Sequence, residues 1–336
     1  MTVRIGLLAA SRIAQTALVE PARVVSGVEI AAVASRSKDR AVDAAERWAV
    51  PRVVDSYEAM IIDEDLDAIY IGTPAALHRE WAIAAIEAGK HVLCEKPFAS
   101  NAHDAFRIAD TAAGAGVIVM EAYHWRYHPL VAQMRSILDS GMLGTVHSVD
   151  ALFEVETAAI PRSDIRWDLS LGGGAMMDIG CYPASWLRWL FDDEPQVDSA
   201  EAVCPVPGID GSMRVDLSWP TGVSGSIFAS MISETTGHAS SLTVEGSNGT
   251  MVVGNPVAPQ WGGALEVRSE SGTTDYPVLA GSTYESQLVA FRDAVVFGAE
   301  FPTTASDGVQ TMRLVDECYR AAGLTVRPSH DDVREI

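Results

Sequence analysis

Cysteine is scarce in this sequence of 336 residues, and no run of apolar residues is long. The four cysteines, Cys94, Cys181, Cys204 and Cys318, are scattered and form no CxxC pair. This usage argues against a metal site and for a reducing compartment, so we predict a cytoplasmic protein that binds no metal. No stretch of eighteen residues is apolar throughout, so we expect no membrane span. The segment from Met1 enters a strand at once, so we expect no signal peptide.

Positive charge is also in short supply. Lysine and arginine total 24, aspartate and glutamate total 45, and the formal net charge is −21. Such a surface repels nucleic acid and anionic membranes, so neither is predicted as a partner. An anionic cofactor would need a local cluster of positive groups. The length suits two domains, and a composition of 48% apolar residues supplies cores for both.

Glycine is missing from the first turn of the chain, where a dinucleotide-binding fold usually has it. Residues 3–8 predict a buried strand and residues 13–19 predict a helix. The turn between them is still small, so a pyrophosphate could approach the N–H groups at the helix start. The residues that we predict to bind the cofactor here are Ala9, Ser11, Arg12 and Ile13. A plain strand, turn and helix is the alternative for this segment.

An acidic residue is missing at the end of the second predicted strand, residues 29–34. Sites that prefer NAD place Asp or Glu about 20 residues past the turn, where it accepts from the ribose 2′-hydroxyl. This chain instead has Ser35, Arg36 and Lys38, whose hydroxyl and positive charges suit a 2′-phosphate. We therefore predict NADP as the cofactor, with NAD as the alternative. The alternative is that these residues are ordinary surface charges at the solvent-exposed start of a helix.

The stretch from His91 to Pro97 contains a short apolar strand that ends at Glu95-Lys96-Pro97. Proline cannot continue a central strand, so the chain turns there. Ligands of open parallel sheets bind beyond the carboxyl ends of the strands, which is where Lys96 stands. An ion pair between Glu95 and Lys96 without further function is the alternative.

Gly89-Lys90-His91-Val92-Leu93-Cys94-Glu95-Lys96-Pro97 resembles the GKHVxxEKP block of the Gfo/Idh/MocA oxidoreductases. The resemblance implies an α/β Rossmann domain followed by an α+β domain with a large open, mainly antiparallel sheet. It also implies that Lys96 lies between nicotinamide and substrate and that the peptide before Pro97 is cis. In the family, the turn that matches Thr73, Pro74 and His78 lies beside the cofactor, so these three residues are predicted cofactor contacts; capping or packing by His78 is the alternative. Glu95 and Lys96 are predicted cofactor contacts as well.

An unusual run of rings and imidazoles, Tyr123 to His128, follows the strand that ends at Glu121. We place the domain boundary there, with a dinucleotide-binding domain at 1–122 and a substrate-binding and oligomerisation domain at 123–336. Arg126-Tyr127-His128-Pro129 resembles the family pattern near the active-site entrance, so Arg126 and Tyr127 are predicted substrate contacts. A structural pair between Glu121 and Arg126 is the alternative.

The segment Gly172 to Tyr182 resembles the family block GGGxxxDxGxH/Y, and Arg166 and Trp167 precede it. Its last position is tyrosine, as in the branch with glucose–fructose oxidoreductase, xylose dehydrogenase and dihydrodiol dehydrogenase. On a helix Asp178 and Tyr182 would share one face, but Pro183 means that the helix is kinked or begins near Cys181. Capping by Asp178 and packing by Tyr182 is the alternative. The predicted substrate contacts of this segment are Arg166, Trp167, Asp178 and Tyr182.

From residue 195 onward, short alternating segments separated by turn residues predict an antiparallel sheet. An open sheet with one uncovered face usually needs a partner, so we expect a homodimer or homotetramer formed through this sheet.

The resemblance implies an NAD(P)-dependent oxidoreductase that moves a hydride between nicotinamide C4 and a hydroxyl-bearing carbon of an aldose or cyclic vicinal diol. We predict Tyr182 as the proton acceptor or donor, because Lys96 can supply the nearby cation that a phenol needs; Lys96 is the alternative base. Asp178 would orient the substrate hydroxyl or the lysine. Two alternatives stay open, an NAD-dependent glycoside hydrolase and a non-catalytic regulator that binds NADP and a sugar.

Overall fold

The computed structural model describes residues 1–329, which form two compact units. Unit 1 consists of Met1–Tyr127 and Tyr284–Val309. Unit 2 consists of His128–Thr283 and the described residues from Gln310 onward. The chain therefore leaves the first unit after Tyr127 and returns to it for a single late segment.

Within its described residues, unit 1 contains a five-stranded parallel sheet in the order β2-β1-β3-β4-β5. Its strands are β1 (Val3–Leu8), β2 (Val28–Ala34), β3 (Ala68–Ile71), β4 (His91–Cys94) and β5 (Val119–Glu121). All four residues of β3 are buried, as expected for a parallel strand covered on both faces. The order turns back between β1 and β3, which is where open α/β sheets bind their ligands. The predicted Rossmann architecture is confirmed.

Short helices connect these strands, and polar side chains cap several of them. The helices of the first 127 residues are α1 (Arg12–Ala14), α2 (Glu20–Ala22), α3 (Lys38–Trp48), α4 (Tyr57–Ile61), α5 (His78–Glu87) and α6 (Ala102–Ala112). Ser37, Ser56 and Asn101 each accept a backbone N–H three residues further on, which satisfies a donor that the helix itself cannot pair. The later helix α9 (Thr283–Phe297) contributes Leu288 and Phe291 to the core of this unit.

A π-helical turn, Gln15–Val19, joins α1 to α2, and Pro21 follows it. Proline has no N–H, so a continuous α-helix would leave one carbonyl without its donor. The π turn moves the pairing by one residue, and the Glu20 N–H binds the Gln15 carbonyl.

The same combination of a π-helical turn and a following proline occurs in unit 2. The π-helical turn Met176–Gly180 leads into α8 (Cys181–Leu190), and Pro183 is the third residue of that helix. Of the two alternatives that Pro183 left open, a kinked helix or a helix that begins near Cys181, the α-helix beginning at Cys181 corresponds to the second, although a π-helical turn precedes it. Two α-helices remain. α7 (Pro129–Asp139) belongs to unit 2, and α10 (Ala305–Ala321) begins in unit 1 and continues in unit 2.

The described part of unit 2 contains an eight-stranded sheet in the order β13-β12-β11-β10-β6-β9-β8-β7. Every neighbouring pair is antiparallel except β6 with β9, which confirms the predicted mainly antiparallel sheet. Its strands are β6 (Val146–Glu156), β7 (Gln196–Val203), β8 (Ser212–Ser218), β9 (Ser224–Ser233), β10 (His238–Gly246), β11 (Gly249–Gly254), β12 (Ala264–Ser269) and β13 (Gly272–Tyr276). Alternate residues of β8, namely Met213, Val215 and Leu217, are buried, so one face of the sheet forms the core. None of the helices in residues 1–329 has the length and apolar character needed to cross a membrane.

Candidate active site

The turn after β1 lacks the glycines of a dinucleotide-binding turn, but one of its residues adopts a backbone conformation that glycine favours. Ala9 has a φ of 80°, a left-handed conformation that glycine adopts far more readily. Gly72, which follows β3, faces this turn so closely that a Cβ there would lie 2.8 Å from Ser11 Oγ. The turns after β1 and β3 therefore pack directly against each other, with no room for a larger side chain at Gly72.

Two buried hydroxyls line these turns without a hydrogen-bond partner among the described residues. Ser11 precedes α1, yet its Oγ does not cap the helix and is buried. Thr73 Oγ1 is in the same situation. Buried hydroxyls normally have hydrogen-bond partners, so a hydroxyl without one beside a helix N-terminus is suited to donate to an anionic group such as a pyrophosphate. These residues therefore fit a nicotinamide dinucleotide. Arg12 and Ile13 occupy the first turn of α1 behind them.

The end of β2 carries the positive charges predicted for a 2′-phosphate, but they are not equivalent. Lys38 pairs with Asp55 at 3.1 Å, and both side chains are exposed. Arg36 is exposed and makes no ion pair within residues 1–329. Arg40, which no pattern in the sequence indicates, donates to the Ala10 carbonyl at 3.5 Å and so links α3 to the first turn. Ser35 lies half-buried beside these groups. The contact of Arg36 with a 2′-phosphate stays a prediction.

His78 holds two turns together. Its Nε2 lies 2.8 Å from the Thr73 carbonyl and its Nδ1 lies 3.0 Å from the Pro97 carbonyl. Burial lowers the pKa of His78 to about 4, against the raising effect of these carbonyls and with a further lowering by the Lys96 charge. The ring is therefore neutral at neutral pH and donates to one carbonyl at a time. His78 supports the turn in which Thr73 and Pro74 lie, and its role as a cofactor contact stays a prediction.

Glu95 is fixed beneath the turn that carries Lys96. Its Oε1 accepts from the Tyr70 hydroxyl at 2.6 Å, and its Oε2 accepts from the Lys96 N–H at 3.3 Å. Burial and the Glu95 charge raise the pKa of Tyr70. The Lys96-Pro97 peptide is cis, as the family resemblance implied. Both carboxylate oxygens are used inside unit 1, so Glu95 positions the backbone from which the lysine side chain extends.

Two further residues surround this turn, His124 and Tyr284. Their rings lie 4.0 Å apart between centroids and are inclined by 30°. Burial, and to a lesser extent the Lys96 charge, lower the pKa of His124 to about 3. Burial and the Glu95 charge raise the pKa of Tyr284. In unit 1 the Lys96 charge therefore acts on two neutral histidines, His78 and His124. Helix α9 adds the phenol of Tyr284, to which no sequence pattern points.

In unit 2 the segment before α8 contains a guanidinium between two carboxylates. Arg166 Nε donates to Asp178 Oδ2 at 2.5 Å, and another of its nitrogens donates to Asp164 Oδ1 at 3.0 Å. The charge of Asp178 raises the pKa of Arg166 above its ordinary value. Asp164 also accepts the Arg166 backbone N–H, which fixes the short turn Ile165–Trp167. Asp178 is thus engaged with Arg166.

Tyr182 lies in the first turn of α8 and is 6% exposed. Its ring packs edge-on against Phe153 at 5.7 Å and lies 6.4 Å from Trp186. Trp167 is also buried, and its indole N–H donates to the Ile160 carbonyl at 3.3 Å. Unit 2 thus holds four predicted substrate residues in defined positions.

The two predicted entrance residues belong to unit 1. Arg126 lies over the Trp125 ring at 5.3 Å. The Tyr127 hydroxyl lies 2.6 Å from Thr303 Oγ1, which in turn donates to the Glu121 carbonyl. Tyr127 therefore ties the returning segment to the end of β5, and its predicted contact with substrate stays a prediction. The roles of the other predicted site residues likewise stay predictions.

Comparison with known proteins places both halves of the chain in one family. The model of the GFO/IDH/MocA family, described as an oxidoreductase family with an NAD-binding Rossmann fold, matches residues 3–123. The model of the GFO/IDH/MocA C-terminal domain matches residues 131–252. The two matches together span well over half of the sequence.

Individual relatives agree over nearly the full length. D-xylose 1-dehydrogenase (NADP(+)) 2 of Haloferax volcanii is 33% identical over 307 residues, which are 90% of this chain and 92% of the relative. A dTDP-3,4-didehydro-2,6-dideoxy-alpha-D-glucose 3-reductase of Streptomyces violaceoruber is 32% identical over 336 residues, 96% of each chain. A crystal structure of a 3-ketoreductase from Actinomadura kijaniata with NADP and TDP-benzene has a TM-score of 0.87 and 25% identity, covering 96% of this chain and 98% of that one.

Proposed function

The chain belongs to the GFO/IDH/MocA oxidoreductase family, and we propose that it transfers a hydride between NADP and a hydroxyl-bearing carbon of a neutral sugar or cyclic diol. One observation carries the proposal. The parallel sheet presents Lys96 at the carboxyl end of β4, in a turn anchored by Glu95, near turns that contain two unpaired buried hydroxyls. The relatives reported above are dehydrogenases or reductases, and none is named as a glycoside hydrolase or regulator.

When bound, the nicotinamide supplies the carbon that accepts or donates the hydride. The residues of the chain must then move one proton and exclude water. We assign the Tyr182 hydroxyl as the group that accepts or donates this proton; the Tyr182 side chain is nearly buried. A free phenol has a pKa of about 10, so Tyr182 needs a nearby cation to act near neutral pH. We assign Lys96 as that cation. Asp178 is assigned to hold Arg166, since its carboxylate already accepts from that guanidinium.

The charge around Arg166 favours a neutral substrate. The guanidinium is shared between Asp164 and Asp178, so the group carries a formal charge of −1. A substrate with a phosphate or diphosphate would meet this negative group, whereas a hydroxylated sugar can donate hydrogen bonds to carboxylates and accept them from arginine. We therefore propose free sugars or diols as substrates rather than nucleotide-linked sugars.

A substrate panel tests this function directly. Purified protein is mixed with NADP or NAD and with aldoses, cyclic vicinal diols and nucleotide-linked sugars, and the absorbance of reduced nicotinamide is followed. The reductive direction is run with the matching carbonyl compounds. We expect turnover with NADP and at least one neutral sugar or diol. Turnover confined to nucleotide-linked sugars contradicts the substrate class, absence of any hydride transfer contradicts the function, and hydrolysis without reduced cofactor indicates the hydrolase alternative.

The preference for NADP is proposed to depend on Arg36. A charge-assisted hydrogen bond contributes about 1.5–3 kcal/mol, so Arg36→Ser should raise the KM for NADP roughly 10- to 100-fold and change the KM for NAD little. Arg47→Ser is the matched control, because Arg47 is exposed on α3 and pairs with Asp43 within its own helix. Steady-state kinetics with both cofactors decide. An equal loss for NADP and NAD would show that Arg36 does not read the 2′-phosphate.

We also propose that the chain self-associates through the outward face of the eight-stranded sheet. Phe228 lies half-buried on that face beneath the Arg214 guanidinium, 4.9 Å from its ring. Phe228→Asp should dissociate the oligomer, because it adds negative charge to a face that already carries Asp150 and Asp216. Sedimentation velocity checks this, and a monomeric wild type contradicts it.

A cytoplasmic location is proposed from the four free thiols and is tested by cell fractionation.

A further inference from the structure

An ion pair in unit 2 is completely shielded from water. The side chains of Arg327 and Asp210 are each 0% exposed, and the guanidinium binds Asp210 Oδ1. Arg327 Nε also donates to the Gly173 carbonyl at 2.6 Å, and its guanidinium lies 3.9 Å above the ring of Tyr319. The Tyr319 hydroxyl donates to the same Asp210 oxygen at 3.0 Å. The segment after α10 is thereby fastened to the loop Gly172-Gly173-Gly174.

The same aspartate fixes the start of the helical segment that contains Asp178 and Tyr182. Asp210 Oδ2 accepts the Met176 N–H at 2.7 Å, and its backbone carbonyl accepts the Ala175 N–H at 2.8 Å. The first N–H groups of a helix have no partner within the helix, and a carboxylate is a favourable acceptor there. Asp210 therefore determines where the helical segment begins.

The loop is shaped around this ion pair. Gly174 has a φ of 135°, and a Cβ there would collide with Asp210, Arg327 and Tyr319. A Cβ on Gly173 would lie 2.6 Å from the Arg166 carbonyl, so the loop also packs against the segment that holds Asp178. Loop, ion pair and the Arg166 segment thus form one packed assembly.

Shielding two charges from water is costly, and well-packed apolar residues would often stabilise a fold equally well. A buried charge pair does offer directional contacts that an apolar pair lacks. We propose that Asp210 and Arg327 are positioning residues that set the placement of Asp178 and Tyr182 for hydride transfer. This inference rests on the proposed function, because the roles of Asp178 and Tyr182 are part of it.

The test uses the full chain with Arg327→Gln, Asp210→Asn and the double variant. Arg320→Gln is the matched control, because Arg320 pairs with Asp316 at 3.5 Å on α10 and is 61% exposed. Four quantities are measured for each: hydrogen exchange of peptides covering residues 172–182, kcat and KM for the sugar substrate, and the melting temperature. The Kd for NADP is measured as a reference for unit 1.

We expect Arg327→Gln to speed exchange in residues 172–182 at least tenfold and to lower kcat roughly 10- to 100-fold, with an unchanged Kd for NADP. The double variant leaves no single buried charge, so its melting temperature should recover while its kcat stays low. Recovery of kcat together with the melting temperature would overturn the positioning role, and so would unchanged exchange in Arg327→Gln. If the wild type transfers no hydride, the exchange experiment still decides whether the pair holds the helix start.

Discussion

Lys96→Met is expected to lower kcat/KM by roughly 10²- to 10⁴-fold, the usual contribution of a positioned group that takes part in proton transfer. Methionine keeps an unbranched side chain of similar length but has neither the positive charge nor the exchangeable proton. The backbone of the turn should be retained, because it depends on Glu95 and on the Tyr70 hydroxyl rather than on the ammonium group. The melting temperature should therefore stay near that of the wild type.

The other end of β4 offers a control of the same residue type. Lys90 donates to the carbonyls of Asp63 and Leu66 at 2.7 and 2.8 Å, and only 9% of the residue is exposed. Lys90→Met leaves the Leu66 carbonyl without its donor, whereas the Asp63 carbonyl still accepts the Leu66 N–H at 3.2 Å. We therefore expect a loss of about 1–3 kcal/mol of stability and an unchanged kcat. Turnover and thermal unfolding should thus respond in opposite ways to the two substitutions. Turnover by Lys96→Met at the wild-type rate would show that Lys96 takes no part in the proton transfer.

Combining Lys96→Met with Tyr182→Phe tests whether the two residues act as one proton-transfer unit. Groups that work as a unit give strongly non-additive losses, so the double variant should be little worse than the more damaging single variant. Losses that multiply would show that the lysine and the phenol act separately.

The Rossmann half of the fold is readable from the sequence because its signals are local. The strand Val3–Leu8 is found as predicted, since a continuous apolar run bounded by a turn is typical of a buried parallel strand. The π-helical turns were not predicted, because proline indicates an interrupted helix but not how the backbone repairs the hydrogen bonds. The return of Tyr284–Val309 to unit 1 has no local signal at all.

The candidate site divides in the same way. Lys96 and the small residues of the first turn follow from their positions after strands, which is a general property of parallel sheets. Arg40 and Tyr284 were missed, because nothing beside them in the chain reports what they contact. The pair of Asp210 and Arg327 is 117 residues apart, and Arg327 meets Gly173 across 154 positions. Sequence patterns of short range cannot report such contacts.

Gly174→Ala should cause the largest loss of stability of any change suggested by the structure. A side chain at a φ of 135° strains the backbone by about 1–3 kcal/mol. The added carbon also collides with Asp210, Arg327 and Tyr319, and displacing one partner of a buried ion pair costs about 3–5 kcal/mol. We therefore expect the free energy of unfolding of unit 2 to fall by more than about 4 kcal/mol.

Gly298→Ala separates the two causes. Gly298 follows α9 with a φ of 67°, and a Cβ there would meet no atom within 4 Å, so this substitution carries backbone strain without a collision. Urea unfolding of both variants, followed by circular dichroism, should show a loss of about 1–2 kcal/mol for Gly298→Ala and a much larger one for Gly174→Ala. Equal losses would mean that the loop can move away from the ion pair. In that case the Asp210–Arg327 pair could not fix the start of the helical segment that carries Asp178 and Tyr182. A loop that moves to accommodate one methyl group is too compliant to hold that helix start in place.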